Sequence, residues 1–221
     1  MAFDPKNLSL VGPMSTRRHL PKELADATRE FATPVGEVMW AWNYCHSSFA
    51  SLFCIIITPH NLAVGHAIWH SLQSDHTQRA QLISAARVVL SKNKPMLRRI
   101  EWAIQSAASL STIRNDAAHV STAFSTHLPV PTVVPNFSGT APSRLRRLRE
   151  HRDLRKRFET LRGDLIALSG YVALLSAEIA FPGHYTLPRR PILQCVPRQA
   201  PKKKRHYKNI RRPPRLRSSR A

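Results

Sequence analysis

Within Ser111-Thr112-Ile113-Arg114-Asn115-Asp116-Ala117-Ala118-His119, a cation, an amide, a carboxylate and an imidazole crowd together beside an apolar stretch. On an α-helix Asn115 and His119 are one turn apart and share a face, while Arg114 and Ala118 stack on the neighbouring face. Ala117 and Ala118 are small, so a second helix or a substrate can approach closely. A guanidinium holds a phosphate by forked hydrogen bonds, and an imidazole moves protons near neutral pH. The set therefore suits a phosphodiester. The same residues also fit a plain helix end, with an Arg–Asp pair and a histidine at the negative end of the helix dipole.

Arg114-Asn115-Asp116-Ala117-Ala118-His119 resembles the Arg-polar-x-x-x-His motif of the HEPN superfamily. The resemblance covers residues 34 to 182. It implies an all-helical bundle and a two-fold homodimer with paired motifs at the interface. It also implies endoribonuclease activity that needs no metal and no cofactor, with Arg114, Asn115 and His119 as the active residues. Such cleavage leaves a 2′,3′-cyclic phosphate and a 5′-hydroxyl. The resemblance further implies a toxin or defence effector, with an antitoxin or other protein partner. The long segment after His119 departs from the family pattern and leaves the placement of the last helix open.

Charge points the same way. The chain has 221 residues and a net charge of +21, from 34 Lys and Arg against 13 Asp and Glu. Residues 187–221 hold 13 of those cations and no acid, so the basicity is mostly a property of the C-terminal end. The natural partner is a polyanion, RNA first and DNA second, rather than a membrane surface. Three cysteines, Cys45, Cys54 and Cys195, form neither a CxxC pair nor an even framework, which favours a reducing compartment. Met1 to Leu20 has no apolar core of a secretory signal, and the expected location is cytoplasmic.

The elements that must position the motif are helices. Residues 1–33 read as a partly disordered leader with one short helix starting at Pro21. A core helix is expected over 34–57, with Thr33 as N-cap, Pro34 in its first turn, and Val38, Trp40, Trp42, Phe49 and Phe53 as core residues. Thr58-Pro59 repeats the cap signal and predicts a second helix to about Leu90. No Asp, Glu, Lys or Arg occurs from Val38 to Ser74, yet the polar interruptions suit a buried hairpin sealed by a dimer better than a membrane span. His66 and His70 have metal-ligand spacing, but no third ligand other than Asp75 lies near them in sequence, so no metal site is assigned. Asn93-Lys94-Pro95 starts a third helix that runs into the motif.

Residues 120–142 read as a linker, since Pro129, Pro131, Pro135 and Pro142 forbid a continuous helix. The last helix, 143–181, carries Leu154, Phe158, Leu161, Leu165, Leu168, Val172, Leu175 and Ile179 as a heptad seam for another helix. Gly163 and Gly170 suggest a close helix contact there. The start of this helix is a candidate phosphate-binding arm that includes Arg144 and Arg147. Residues 183–221 read as a disordered basic tail, with Lys202, Lys203, Lys204, Arg205, Arg211 and Arg212 as nucleic-acid-binding residues. The expected fold class is all-α: a helical domain over 34–182 built of four main helices, followed by the tail. Two other functions fit the same residues. One is a non-catalytic nucleic-acid-binding protein using the arm and tail, and the other is a helical module that offers its seam to a protein partner.

Overall fold

The structure is a computed structural model and describes residues 22–125, 132–136, 142–149, 153–187 and 189–196. It is mostly helical, as the all-α reading requires. In chain order the elements are α1 (Lys22–Ile57), α2 (Leu62–Ser71), α3 (Asp75–Val89), α4 (Lys94–Ala118), β1 (Ser121–Ser125), β2 (Thr132–Asn136), α5 (Pro142–Arg149) and α6 (Leu154–Ala180).

α1 is the axis of the fold. At 36 residues it is about 54 Å long. It packs most extensively on α6, and also on α2, α3, α4 and β2. Its apolar residues Val38, Trp42, Phe49, Leu52, Phe53 and Ile56 are buried together with Leu110 of α4 and the α6 seam. The short helix read from Pro21 and the core helix read from Pro34 are one element, because Pro34 lies inside α1 instead of starting it. A proline there loses one backbone bond, at a cost of roughly 3 kcal/mol. The flanking turns are held elsewhere: Arg162 of α6 reaches Glu37 at 2.9 Å, and Arg155 pairs with Glu30 and Glu159. Trp40 is the second correction. It is 61% exposed and stacks flat on exposed Tyr44, so it is not a core residue.

The helix expected over 58–90 is two helices with a corner between them. Asn61 caps α2 by accepting from the Val64 N–H, and Ser74 caps α3 by accepting from the Thr77 N–H. Buried Gln78 donates to the Trp69 and Leu72 carbonyls at 2.9 and 3.4 Å, which satisfies acceptors left open at the end of α2. α2 can lie close on α1 only because of Gly65. A Cβ there would stand 2.6 Å from Thr58 Oγ1 and 2.8 Å from Cys54 Sγ.

α4 begins as expected, with the Asn93 side chain accepting from the Met96 N–H at 3.1 Å and Pro95 in the first turn. The segment read as a linker contains an antiparallel hairpin, with Ser121 opposite Asn136 and Ser125 opposite Thr132. The prolines do forbid a helix there, but Pro135 is tolerated in a strand because each strand of a two-stranded sheet has a free edge. The expected last helix is likewise two. α5 ends at Arg149, and α6 starts afresh at Asp153, which accepts from the Lys156 N–H at 3.0 Å.

The seam of α6 is buried from Leu154 to Leu175, with Ile179 partly buried at its end, and it faces α1 and α4 of the same chain. By length and composition α6 could also cross a membrane. Gly163 and Gly170 face open space, and no close contact explains them. Residues 183–196, read as the start of a disordered tail, are instead folded back, with Leu193 in the core. Lys202, Lys203, Lys204, Arg205, Arg211 and Arg212 lie outside the described residues.

Gly65→Ala is expected to lower stability by about 1–3 kcal/mol, the usual range for overpacking a tight contact. Chemical denaturation checks this, and an unchanged midpoint would show that α2 shifts freely.

Candidate functional site

Arg114 is the residue of the motif that the fold uses most. It sits near the end of α4 and turns inward. Its Nη2 donates to Asp75 Oδ2 at the start of α3, and its guanidinium lies 4.5 Å from the centroid of the Trp42 ring on α1. A guanidinium over an indole face contributes roughly 1–2 kcal/mol when partly shielded from water. The arrangement ties three helices together through one side chain.

Asp75 holds a second group, with His46 Nε2 3.7 Å from its Oδ1. His46 packs between Trp42 and Trp69, at ring-centroid distances of 6.3 and 5.3 Å. Arg79 also stands over Trp42 at 5.9 Å and is buried. One carboxylate therefore serves two arginines and an imidazole. Four buried nitrogens of this cluster make no hydrogen bond within the protein: His46 Nε2, Trp69 Nε1, Arg79 Nη1 and Arg114 Nε. Two guanidiniums, Arg79 and Arg114, lie over Trp42 with one carboxylate, Asp75, beside them, so the cluster carries a positive excess. Cys45 lies within its field, and burial, only partly offset by the charge of Arg79, pushes its thiol up to about 12. It is therefore a neutral thiol and no nucleophile.

Asn115, directly after Arg114, and His119, somewhat more than a turn beyond it, are exposed, and the His119 N–H closes the helix by donating to the Asn115 carbonyl at 3.2 Å. The helix thus separates the motif into an inward cation and an outward amide and imidazole. Asp116 is not the partner of Arg114. It is fully buried, between Arg144 Nε at 3.6 Å and Arg157 Nη2 at 3.7 Å. Arg157 is itself only 9% exposed, so Asp116 is what makes its burial tolerable.

The expected phosphate-binding arm is thereby partly engaged. Arg144 and Arg157 face Asp116, and Arg155 faces Glu30 and Glu159. Arg147 lies on α5, and its side chain is outside what the structure describes. His66 and His70 stack on each other at 6.1 Å. Among the described residues no three His, Cys, Asp or Glu side chains gather as a metal site.

Sequence reasoning missed Asp75, His46 and Arg79. The available signal was that Asp75 is the lone acid between Val38 and Ile100, in an otherwise largely apolar stretch. It also missed the exposed Trp40–Tyr44 pair, whose spacing of four is that of a helix-face stack. The chain matches no protein-family model, no curated protein and no solved structure.

Burial holds the His46 imidazole below the ordinary histidine value, with Arg79 and His70 lowering it further and Asp75 and Gln78 acting the other way. A histidine so shifted supports folding as the neutral ring. Its contribution is complete above the unfolded-state pKa, about 6.5, and is lost as pH falls toward the lower folded value. An NMR titration should place its midpoint below that of a free histidine, and His46→Asn should blunt the loss of stability as pH falls below about 6.5. A midpoint above the free value would mean that Asp75 outweighs burial.

Proposed function

We propose that this protein is a HEPN-type, metal-independent endoribonuclease. The reading takes the four long helices as the HEPN bundle and places the chain in the cytoplasm as a toxin or defence effector. The observation that carries it is the placement of Arg114. Its guanidinium and that of Arg79 lie over Trp42 beside a single carboxylate, Asp75, on the inward side of the α4 end whose outward side carries the exposed Asn115 and His119.

In this reading His119 takes the proton of the ribose 2′-hydroxyl, and the 2′-oxygen attacks the adjacent phosphorus. The P–O5′ bond breaks, the 5′-oxygen leaves as a hydroxyl after gaining a proton, and a 2′,3′-cyclic phosphate remains. Arg114 stabilises the charge that builds on the phosphate oxygens, a role often worth 3–4 kcal/mol. Asn115 orients His119 or the phosphate. One imidazole does not readily act as base and acid in the same step, so a second motif from a homodimer supplies the other proton carrier. The exposed apolar residues Leu62, Val64 and Ile68 on α2, with the Trp40–Tyr44 pair, give such a dimer a surface to bury.

A second reading, a non-catalytic RNA-binding protein, draws support from the Asp75–Arg114 contact, because a phosphate must compete with Asp75 for the guanidinium. An antitoxin or other protein partner belongs to the first reading. The α6 seam offers little to a partner module, since α1 and α4 already cover it.

Purified protein should cut a labelled RNA in EDTA. His119→Ala and Arg114→Ala should each lower the rate by about 100-fold or more while His119→Ala keeps RNA affinity. If His119→Ala cuts as fast as wild type, the nuclease reading fails. Salt-dependent binding without cutting by any variant would favour the second reading.

A further inference from the structure

Arg98 and Arg99 lie on the first turns of α4, and Arg189 and Arg190 follow α6. With Pro95 they line an open groove of about 520 Å³, with no Asp or Glu in its walls among the described residues. Four guanidiniums gathered this way repel one another, so the fold must hold them. Arg190 donates to the Arg98 carbonyl at 3.2 Å and lies 5.4 Å from the Trp102 centroid. Trp102 is fixed edge-on against Tyr171 at 5.2 Å, and the Tyr171 hydroxyl accepts from Arg99 at 3.4 Å.

The segment that carries Arg189 and Arg190 is itself pinned. The buried Asp164 carboxylate accepts the Gln194 N–H at 2.9 Å and the Cys195 N–H at 2.6 Å, and Leu193 enters the core. A carboxylate spent on backbone donors adds no partner for the arginines. Cys195, its thiol pushed up to about 12 by burial and then by Asp164, adds no charge either. The groove is therefore a cationic surface built by tertiary structure, lined among the described residues by four arginines and Pro95.

We propose that this groove binds the phosphodiester backbone of single-stranded RNA and anchors the strand whose scissile phosphate reaches His119. The proposal rests on the nuclease reading for the role of His119, and on the groove alone for binding. The exposed face of α4 connects the two places. Arg98, Gln105, Ser109, Thr112, Asn115 and His119 are all exposed and their spacing keeps them on one side of the helix, where the acid Glu101 is paired with Arg87 at 3.0 Å. From Arg98 to His119 the axis runs about 32 Å, a path a flexible strand can follow and a single small anion cannot. Lys92 and Lys94 extend the positive end.

The test uses the full chain carrying His119→Ala, so that RNA stays intact, and a labelled single-stranded RNA oligonucleotide. Adding Arg98→Gln and Arg189→Gln should weaken binding roughly tenfold near physiological salt. It should also flatten the dependence of log K on log salt by about 1.4, at about 0.7 per phosphate contact. An unchanged affinity and slope would overturn the proposal. Equal loss of binding to a polyglutamate peptide would overturn it too, because the groove would then be an acidic-peptide site.

Should the double variant fail to fold, hydrogen exchange of the parent chain reads the same point. RNA should protect amides at 96–100 and 189–190, and unchanged exchange there overturns the groove. Loss of binding by groove variants of a chain that never cuts RNA would uphold the groove and sink the nuclease. Normal binding by groove variants of a chain that needs His119 to cut would do the reverse.

Discussion

The Asp75 carboxylate is the constraint from which the helix arrangement around the motif follows. It is the one acid in a long apolar stretch, and it sits at the first residue of α3. A carboxylate placed against apolar helices must find cations or stay protonated. Arg114 comes to it from α4 as the cation, and the neutral His46 ring lies beside it from α1, with Trp42 against both. The corner at Gln78 puts α3 where this can happen. Removing either member of the Arg114–Asp75 pair leaves the other uncompensated, a larger loss than the pair's own net worth. Fold and candidate chemistry thus share one guanidinium.

Two carboxylates that are buried, unlike the partly exposed Asp75, follow the same rule with different partners. Asp116 is neutralised by Arg144 and Arg157, and Asp164 by backbone N–H groups. The consequence for function is a redistribution of charge. Several arginines that look free in the sequence are committed to acids, whereas Arg98, Arg99, Arg189 and Arg190, which the sequence does not group, come together in one groove. Net charge alone says that a polyanion is wanted. Only the packing says which cations pair with acids and which gather in the groove.

Much of the helical architecture was legible. The α6 seam has a strict spacing that only a buried helix face explains, and it is buried. Asn93 and Pro95 mark the start of α4 by local chemistry, and the structure uses both. What was not legible depends on long-range contacts. Pro34 reads as a helix start, and nothing local reveals that ion pairs from α6 steady the turns around it. Ser74 is a good N-cap within an otherwise continuous helical pattern, and its use depends on Gln78 reaching back to α2. The hairpin over 121–136 has strand-forming residues, but its prolines dominate any reading by residue type. Of the site, the motif was visible. Its inward partners Asp75, His46 and Trp42 come from other helices and were not.

The central claim is that a 2′-hydroxyl is the nucleophile, activated by His119 beside Arg114. The most direct measurement is cleavage in EDTA of one RNA and of the same strand with a single 2′-deoxy nucleotide on the 5′ side of the cut. The account predicts that the RNA yields a 2′,3′-cyclic phosphate and a 5′-hydroxyl, and that the deoxy position is not cut. Equal cutting of both strands, or products ending in a 3′-hydroxyl and a 5′-phosphate, would contradict it.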